Sequence, residues 1–404
     1  MRFMNLSPSP AFRRRHAAGT PLIDQAAKGS GGPMSISRRE FLQVGKLCLV
    51  ALFPTIVASC HDYAAGDRST PHETLGPEGV LGQSFGQILA LAARAPSGHN
   101  TQPWTVRILD QSTWFLGIEA SRRLPAVDPS TRETVLSLGA FLESLIFAAR
   151  HYGLQITYRI LASSPADREI VQLSFHNVGP APQRLEELRR RRTLRTGFCH
   201  RDISAMDVAS VVGGEANFQY FPSSSTGAKY ISEATVEANK RQAFREDAKA
   251  ELASWIRWSS SDADRYLNGL TPATMEIDGV SGWYVRHFYD RRSAMSNSFR
   301  DAAVKLATQR VREGGGWLVL ASQREDIAAL VETGRQCQRM WQRLRDKGIA
   351  IHPMTQVLEE MPWRDQVATH LSLGGTPQFL FRIGYVDKYP EPVSLRMPPD
   401  WFTK

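Results

Sequence analysis

Apolar and polar positions along residues 81–400 predict long helices separated by short strands. Apolar side chains at helical spacing predict one helix over residues 81–94, which Pro96 ends, and a second one that Gly153 ends. The second helix follows a capping-box sequence, Ser130-Thr131-Arg132-Glu133. Further helices are predicted over residues 182–192 and 324–347, and one or two helices over residues 229–258. Strands are predicted over residues 104–109, 113–119, 154–161, 169–175, 316–321 and 377–385.

The pattern repeats weakly along the chain. A second capping-box sequence, Ser322-Gln323-Arg324-Glu325, precedes another long predicted helix. A glycine pair brackets the end of each of the two long predicted helices. The two glycines are equally far apart in each pair, Gly139 with Gly153 and Gly334 with Gly348. Glycine coincidences also arise by chance. A helix closed by glycine before a strand in both halves nevertheless favours two pseudo-symmetric units, with a mixed sheet flanked by helices and fold class α+β.

The pattern also divides the chain into segments. Residues 1–60 are interpreted as an N-terminal extension with an export signal, and residues 61–80 as a flexible tether. Residues 81–180 form a predicted first half and residues 181–404 a second half. Turn-forming residues concentrate at about residues 255–290, which indicates either a lid over a site or an inert surface insertion.

The N-terminal extension carries targeting signals. Arg38-Arg39, in the sequence Ser-Arg-Arg-Glu-Phe-Leu, resembles a twin-arginine export motif. The apolar run that follows, residues 47–58, is too short for a comfortable membrane span and contains Pro54. Residues 57–60, Val-Ala-Ser-Cys, resemble a lipobox, which predicts acylation of Cys60.

We therefore expect a periplasmic lipoprotein that is anchored to the membrane through Cys60. The alternative for the apolar run is a short buried helix or an uncleaved anchor. Met34 is an alternative start, because the residues before it are unlike any signal. The twin-arginine route is associated with cargo that folds before export, often around a cofactor.

Composition narrows the function classes. The chain of 404 residues is 42% apolar, which suits a globular protein with a substantial core. Its net charge of +9 comes with no basic stripe interleaved with aromatic residues, so nucleic acid is not an expected partner. No Gly-rich nucleotide fingerprint or P-loop is present. The four cysteines lie far apart and predict neither a metal site nor a disulfide framework: Cys48, Cys60, Cys199 and Cys337.

Residues 95–104, APSGHNTQPW, concentrate small polar groups directly after the first predicted helix. Gly98 lets another group approach the backbone closely, and Trp104 anchors the next strand. Ser97, Asn100 and Gln102 offer donors and acceptors to a polar, partly planar ligand. Alternatively, the loop only caps its own helix.

A second candidate is the run of arginines at residues 189–192 with Thr193 and Arg195. Arginines at the end of a helix often only complement its dipole. However, Arg191, Thr193 and Arg195 at near-alternating spacing can converge on one phosphate, because guanidinium groups match its oxygen geometry.

These two motifs resemble those of FMN-dependent nitroreductases. Residues 96–104 are similar to their Pro-Ser-x-x-Asn-x-Gln-Pro-Trp loop, and residues 191–195 to their Arg-x-Ser/Thr-x-Arg/Lys motif. The likeness is closer to the Acg branch, in which one polypeptide contains two nitroreductase-like halves equivalent to the usual homodimer. It extends from about residue 81 to 400 and is carried further by residues 124–142, 255–270 and 374–398.

The resemblance implies FMN as the cofactor, bound once per chain at the interface between the halves. Along the isoalloxazine and ribityl chain it implies Pro96, Ser97, Gly98, Asn100 and Gln102. For the ribityl hydroxyls and the phosphate it implies Arg191, Arg192, Thr193, Arg195 and Arg396. Thr355 and Gln356 stand where many nitroreductases carry Pro-x-Glu-Gly beside flavin N5, and they depart from that acidic pattern. The nearby His99, His200 and His352 are expected to be structural or solvated.

The leading hypothesis is an exported FMN-dependent oxidoreductase that reduces small electron-poor molecules such as nitroaromatics or quinones. NAD(P)H is scarce outside the cytoplasm, so the electron donor stays open. The main alternative is a non-catalytic protein that binds or sequesters flavin under a lid. The third hypothesis is an interaction module tethered to the membrane surface. A monomer that resembles a nitroreductase dimer is expected. The assembled site requires Asn100 and Arg195 to share one cavity.

Overall fold

The computed structural model describes residues 80–404. The predicted export signal, Cys60 and almost all of the tether lie outside these residues. Between residues 80 and 404, no helix is long and apolar enough to cross a membrane.

The first half is a four-stranded sheet covered by a long helix. Its strands are hydrogen-bonded in the order β1-β2-β4-β3, and all three pairings are antiparallel. Trp104 and Val106 of the edge strand turn fully buried side chains inward, and Trp104 stacks on Phe141 with ring centroids 4.8 Å apart. The elements are α1 Val80–Ala92, β1 Trp104–Ile108, β2 Thr113–Ile118, α2 Arg132–His151, β3 Leu154–Ile160 and β4 Val171–Asn177.

The second half repeats this plan and adds helices to it. Its strands are hydrogen-bonded in the order β5-β6-β8-β7, again antiparallel. The elements up to the third strand are α3 Glu186–Arg189, α4 Ala205–Val212, β5 Phe218–Pro222, α5 Thr226–Phe244, α6 Glu246–Trp255, α7 Ser260–Tyr266, α8 Gly279–Phe288, α9 Arg291–Ala294, α10 Asn297–Arg310, β6 Gly316–Ser322, α11 Ile327–Leu344 and β7 Ile349–Pro353. They are followed by α12 Gln356–Glu359, α13 Trp363–His370 and β8 Thr376–Tyr385.

The two halves pack through their equivalent long helices, α2 and α11. A Cβ added to Gly139 would lie 2.1 Å from the carbonyl oxygen of Val331, and one added to Gly334 would lie 2.0 Å from that of Leu136. The two contacts are reciprocal. The residues that correspond in them, Gly139 with Gly334 and Leu136 with Val331, are separated along the chain by the same offset as the two predicted glycine pairs. The prediction of two pseudo-symmetric halves is therefore confirmed, and glycine is required because the two backbones touch.

The last residues of the chain return to the first half and add a parallel bridge to its otherwise antiparallel sheet. This sheet is therefore mixed, as predicted. Thr403 forms a parallel bridge with Val106 of β1. The Val106 amide donates to the carbonyl oxygen of Phe402 at 2.8 Å, and the Lys404 amide donates to the carbonyl oxygen of Val106 at 2.7 Å. Phe402 is fully buried in the core of the first half.

Both predicted capping boxes are wrong. Thr131 precedes α2 in a left-handed conformation, with φ of 62° and no capping hydrogen bond from its side chain. The carboxylate of Asp128 caps this helix instead, because it accepts hydrogen bonds from the amides of Glu133 and Thr134. Helix α11 is capped by Asp326, since the predicted cap lies at the end of β6.

The remaining differences concern short elements. The predicted helix over residues 182–192 has only four helical residues, Glu186–Arg189. Of the two possibilities predicted for residues 229–258, one helix or two, the structure has two, because Arg245 has an extended backbone between them. Strands β5 and β7 and helix α4 were not predicted, because five to eight residues show too little periodicity.

Candidate functional site

The loop at residues 95–104 has a strained backbone. His99, Asn100 and Gln102 have φ angles of 46°, 54° and 51°, which side-chain-bearing residues seldom adopt. The Gln102 amide donates to Ser97 Oγ at 3.0 Å, which closes the turn. A Cβ on Gly98 would lie 3.0 Å from the Leu124 side chain, so glycine allows close packing here. Strain of this kind concentrates at functional sites and needs surrounding contacts to hold it.

Two amide side chains of the loop supply such contacts. Asn100 Nδ2 donates to the carbonyl oxygen of Gly269 at 3.1 Å. Gln102 Nε2 donates to the carbonyl oxygen of Leu267 at 2.9 Å, and its Oε1 accepts from the Met397 amide at 2.9 Å. The loop thereby joins the predicted lid region to the C-terminal segment. Pro96 lies in the same loop, partly buried.

Three arginines meet beside this loop, and we call Arg94, Arg191 and Arg396 the buried arginine cluster after its buried member Arg191; Arg94 and Arg396 are partly buried. Arg396 Nη1 donates to Asn100 Oδ1 at 2.7 Å, and its Nη2 donates to the carbonyl oxygen of Arg94 at 3.2 Å. Arg191 Nε donates to the same carbonyl oxygen at 3.0 Å. Two further donors, Arg191 Nη1 and Arg396 Nε, are buried and have no hydrogen-bond partner.

Burial shifts the pKa of two members of the cluster, Arg191 and Arg396. Burial lowers the pKa of Arg396 well below its ordinary value, and the charges of Arg191 and Arg94 lower it further. Burial likewise lowers the pKa of Arg191 to about 10. Within residues 80–404, no carboxylate is close enough to either guanidinium to raise its pKa. Buried cations with unpartnered donors fit an anion such as a phosphate, and FMN carries one.

The rest of the arginine motif contacts the predicted lid region. Arg195 Nη1 donates to the carbonyl oxygen of Thr274, and its amide donates to Glu276 Oε1 at 3.0 Å. Arg192 Nη2 lies 3.9 Å from the same carboxylate oxygen. Thr193, between the two arginines, is partly buried. Burial lowers the pKa of Arg195 to about 10, and the positive charge of Arg310 adds to this effect.

The structure thus brings some predicted residues together and keeps others apart. Arg191, Arg396, Asn100 and Gln102 form one connected group, which includes members from both halves. Arg192 and Arg195 form a second group, and no hydrogen bond joins Arg195 to Asn100 among residues 80–404. Both groups contact the segment at residues 267–276.

Two surface cavities lie elsewhere. A cavity of about 400 Å³ is lined by residues from Cys199 to Arg201, Lys347, Gly348 and residues 385–387. A second, of about 90 Å³, lies between residues 216–219 and 373–375. None of the predicted site residues lines either of these two cavities.

Thr355 and Gln356 lie beside buried acids that the sequence analysis did not identify. Thr355 Oγ1 donates to Glu359 Oε1 at 2.8 Å, and Gln356 Oε1 is buried without a partner. Burial and the nearby Glu359 raise the pKa of Glu133 well above its ordinary value. Burial also raises the pKa of Glu359 and of Asp128. The acidic character absent at Thr355 and Gln356 is therefore supplied by neighbours, for which the sequence offered only a misassigned capping box.

The three histidines near the motifs differ in burial and in pKa. Burial lowers the pKa of His99 to about 4, and its Nε2 has no partner, so the ring is neutral at neutral pH. Burial and the charges of Arg195, Arg382 and Arg310 lower the pKa of His352 well below its ordinary value. His200 is exposed. Between residues 80 and 404, no three His, Cys, Asp or Glu side chains are grouped to hold a metal ion.

Proteins named as probable or putative NAD(P)H nitroreductases are similar to this chain in sequence. No family model matches the chain. It is 23% identical over 325 residues to "Probable NAD(P)H nitroreductase PigM" of Serratia sp., covering 75% of this chain and 88% of that protein. It is 26% identical over 335 residues to "Putative NAD(P)H nitroreductase acg" of Mycobacterium tuberculosis, covering 77% of this chain and 92% of that protein.

A solved structure is also similar, the FMN-dependent nitroreductase NfnB of Mycobacterium smegmatis in complex with NADPH. It is 14% identical, with a TM-score of 0.30, and the match covers 52% of this chain and 93% of that chain. We infer nothing from so low a score. The sequence relatives span most of the chain, so their likeness includes both halves and the junction between them.

Proposed function

We propose that the protein is an exported, nitroreductase-like oxidoreductase that binds FMN and reduces small electron-poor molecules such as nitroaromatics or quinones. The observation that carries the proposal is the buried arginine cluster, with its unpartnered Arg191 Nη1 and Arg396 Nε beside Asn100. The names of the full-length relatives support the same chemistry.

In this proposal the chain's own groups bind and orient the cofactor. Arg191 and Arg396 would hold the phosphate, and the loop from Pro96 to Gln102, with Ser97 and Gly98, would contact the isoalloxazine and ribityl chain. Bound FMN would supply the electron transfer. Burial raises the pKa of Glu133 and of Glu359, so these carboxyls could hold a proton near Thr355.

The test is flavin loading followed by turnover. The purified full chain should take up FMN at one per chain, and its visible flavin absorbance should be lost on reduction and return on addition of a nitro compound or quinone. Arg191→Ala should weaken FMN binding, while the exposed Arg324→Ala serves as the matched control. A chain that rejects FMN, or one whose Arg191→Ala variant binds it equally well, contradicts the assignment.

The relatives' names support NAD(P)H as the electron donor. Export would separate the enzyme from cytoplasmic NAD(P)H, so a donor outside the cytoplasm is the competing choice. Stopped-flow reduction of the FMN-loaded protein by NADPH, by NADH and by a reduced quinone distinguishes the two. Fast reduction by a nicotinamide supports the first choice.

A non-catalytic flavin-binding protein is the second candidate. Residues 267–276 bind Gln102, Asn100 and Arg195 directly, as a lid closed over the site would. FMN uptake at one per chain without turnover by any donor would favour this candidate.

Export and anchoring are part of the proposal and rest on the N-terminal motifs. Conversion of Arg38 and Arg39 to lysine should retain the protein in the cytoplasm. Cys60→Ala should leave it exported but release it from the membrane fraction. Unchanged fractionation of both variants would contradict the lipoprotein assignment.

A further inference from the structure

Helix α8 exposes an aromatic surface. Val280, Trp283 and Phe288 are 84%, 50% and 57% exposed, so three of the large apolar side chains exposed in the described part lie on this one helix. Trp283 stacks on His287 with ring centroids 4.6 Å apart, and its ring lies edge-on to Phe288 at 5.7 Å. We call Val280, Trp283, His287 and Phe288 the α8 aromatic face.

Another side of α8 contacts the rest of the protein. A Cβ on Gly282 would lie 2.2 Å from the carbonyl oxygen of Ile277, so the helix rests directly on the preceding turn. Val285 and Tyr289, both partly buried, pack on a small core that includes Ile256 and Trp258. The aromatic face itself has no intramolecular partner among residues 80–404 that would cover it.

Basic side chains border the aromatic face. Arg286, Arg291 and Arg292 are all exposed, and none forms an ion pair within the part of the chain that the structure describes. The two nearby acids lie at the helix ends: Asp278 precedes α8, and the Asp290 carboxylate accepts from the Ser293 amide at 2.7 Å. Exposed Trp and Phe next to unpaired arginines are typical of helices that lie at the interface of anionic membranes.

We propose that the α8 aromatic face docks on the surface of an anionic lipid bilayer. Charge complementarity supports this occupant, because Arg286, Arg291 and Arg292 are exposed and would meet the anionic headgroups. Acylation of Cys60, as proposed above, would place the protein at a membrane surface. The docking does not depend on flavin binding.

The test uses the full chain with Cys60→Ser, so that no acyl chain contributes, and vesicles of phosphatidylcholine with or without phosphatidylglycerol. We expect sedimentation with the anionic vesicles and much less with the neutral ones. The triple variant Val280→Ser, Trp283→Ser, Phe288→Ser should lower the partition coefficient about tenfold or more. A second variant, with Arg286, Arg291 and Arg292 changed to Gln, should lower it by a similar factor.

The matched control is Leu109→Ser with Met206→Ser, which removes apolar side chains that are 60% and 77% exposed elsewhere. This control should partition as the parent does. In addition, quenching of tryptophan fluorescence by brominated lipid should fall in Trp283→Phe, whose binding is retained. Equal partition of the parent and both α8 variants would overturn the proposal, because binding would then come from residues 47–58. FMN absorbance of the same samples reports the proposed function separately.

Discussion

At the residue scale, the site is defined by buried charges of one sign. Arg191 and Arg396 each keep an N–H group that is buried and unpartnered, a condition that costs free energy unless an anion relieves it. Asn100 connects this positive cluster to the strained loop through its contact with Arg396 at 2.7 Å. Glu133 and Glu359 show the opposite case, acids whose burial raises their pKa.

Arg396→Gln should lower FMN affinity about tenfold to a hundredfold, because a hydrogen bond to a charged group contributes about 1.5–3 kcal/mol. The Tm of the FMN-free protein should change little, since the variant also relieves repulsion from Arg191. Fluorescence titration of FMN measures the affinity. Arg184→Gln, at a side chain that is 69% exposed, is the control, and an equal effect in both variants would argue against a phosphate contact.

Glu133→Gln should make stability less dependent on pH. The raised pKa of Glu133 means that the folded state holds its proton more tightly than the unfolded state. The contribution of Glu133 to the free energy of unfolding is therefore fully present below the ordinary pKa of 4.5, and it is lost as the pH rises through the folded-state pKa. Thermal melting should give a higher Tm than the parent at about pH 8 but no gain near pH 4.5.

The charged side chains that face Glu133 are Asp128, Glu359 and Arg132. The pH dependence of stability therefore arises from these interacting groups together with Glu133. Glu186→Gln, at a side chain that is 64% exposed, should leave the pH profile unchanged. A Glu133→Gln profile parallel to that of the parent would mean that the carboxyl titrates normally.

At the element scale, α2 and α11 carry the junction on which the site is built. Gly139 and Gly334 let the two backbones touch, as the reciprocal contacts with Val331 and Leu136 indicate. Ion pairs extend the contact, since Glu143 of α2 lies 2.8 Å from Arg335 and 3.0 Å from Arg339 of α11. The loop at residues 95–104 comes from the first half, whereas Arg191 and Arg396 come from the second. The packing of α2 against α11 therefore sets where these groups lie relative to each other.

Gly334→Ala should lower the free energy of unfolding by about 1–3 kcal/mol, because its Cβ would collide with backbone rather than with a movable side chain. Urea denaturation measures this change. Gly86→Ala is the matched control, since nothing lies within 4 Å of the added Cβ in helix α1. There the greater helix propensity of Ala should add about 0.5–1 kcal/mol. Stabilisation by both changes would mean that the helices separate readily.

At the scale of the whole molecule, the chain end closes the sheet of the opposite half. Phe402 is fully buried there, and its ring lies 6.0 Å from that of Phe141 on α2. The C-terminal segment also carries Arg396 and Met397 to the loop at residues 95–104. Folding of the first half and assembly of the site therefore both depend on the last residues of the second half.

Phe402→Ala should destabilise the protein by about 3–5 kcal/mol, through lost burial and an unfilled cavity. Lys404→Ala, at a side chain that is 58% exposed, should change stability by less than about 0.5 kcal/mol. Calorimetry should show one unfolding transition that Phe402→Ala shifts as a whole. A separate early transition would mean that the halves fold independently.

The sequence by itself determined the local features. It predicted α1, α2 and most strands within a few residues, because apolar periodicity over ten or more positions reflects the burial of one face. It also marked the polar loop around Gly98 and, through Gly139 and Gly334, the two equivalent helices. It missed β5 and β7, whose five residues are too few to show a period.

Only the tertiary structure decided which distant groups meet. Asn100 and Arg396 lie 296 positions apart, and their contact depends on how the halves pack, which no local pattern encodes. The same holds for the parallel pairing of residue 403 with β1, and for the division of the arginine motif between two groups. Burial also raised the pKa of Glu133 and Glu359 and lowered that of His99, because desolvation depends on the surrounding fold and not on the neighbouring positions in the sequence.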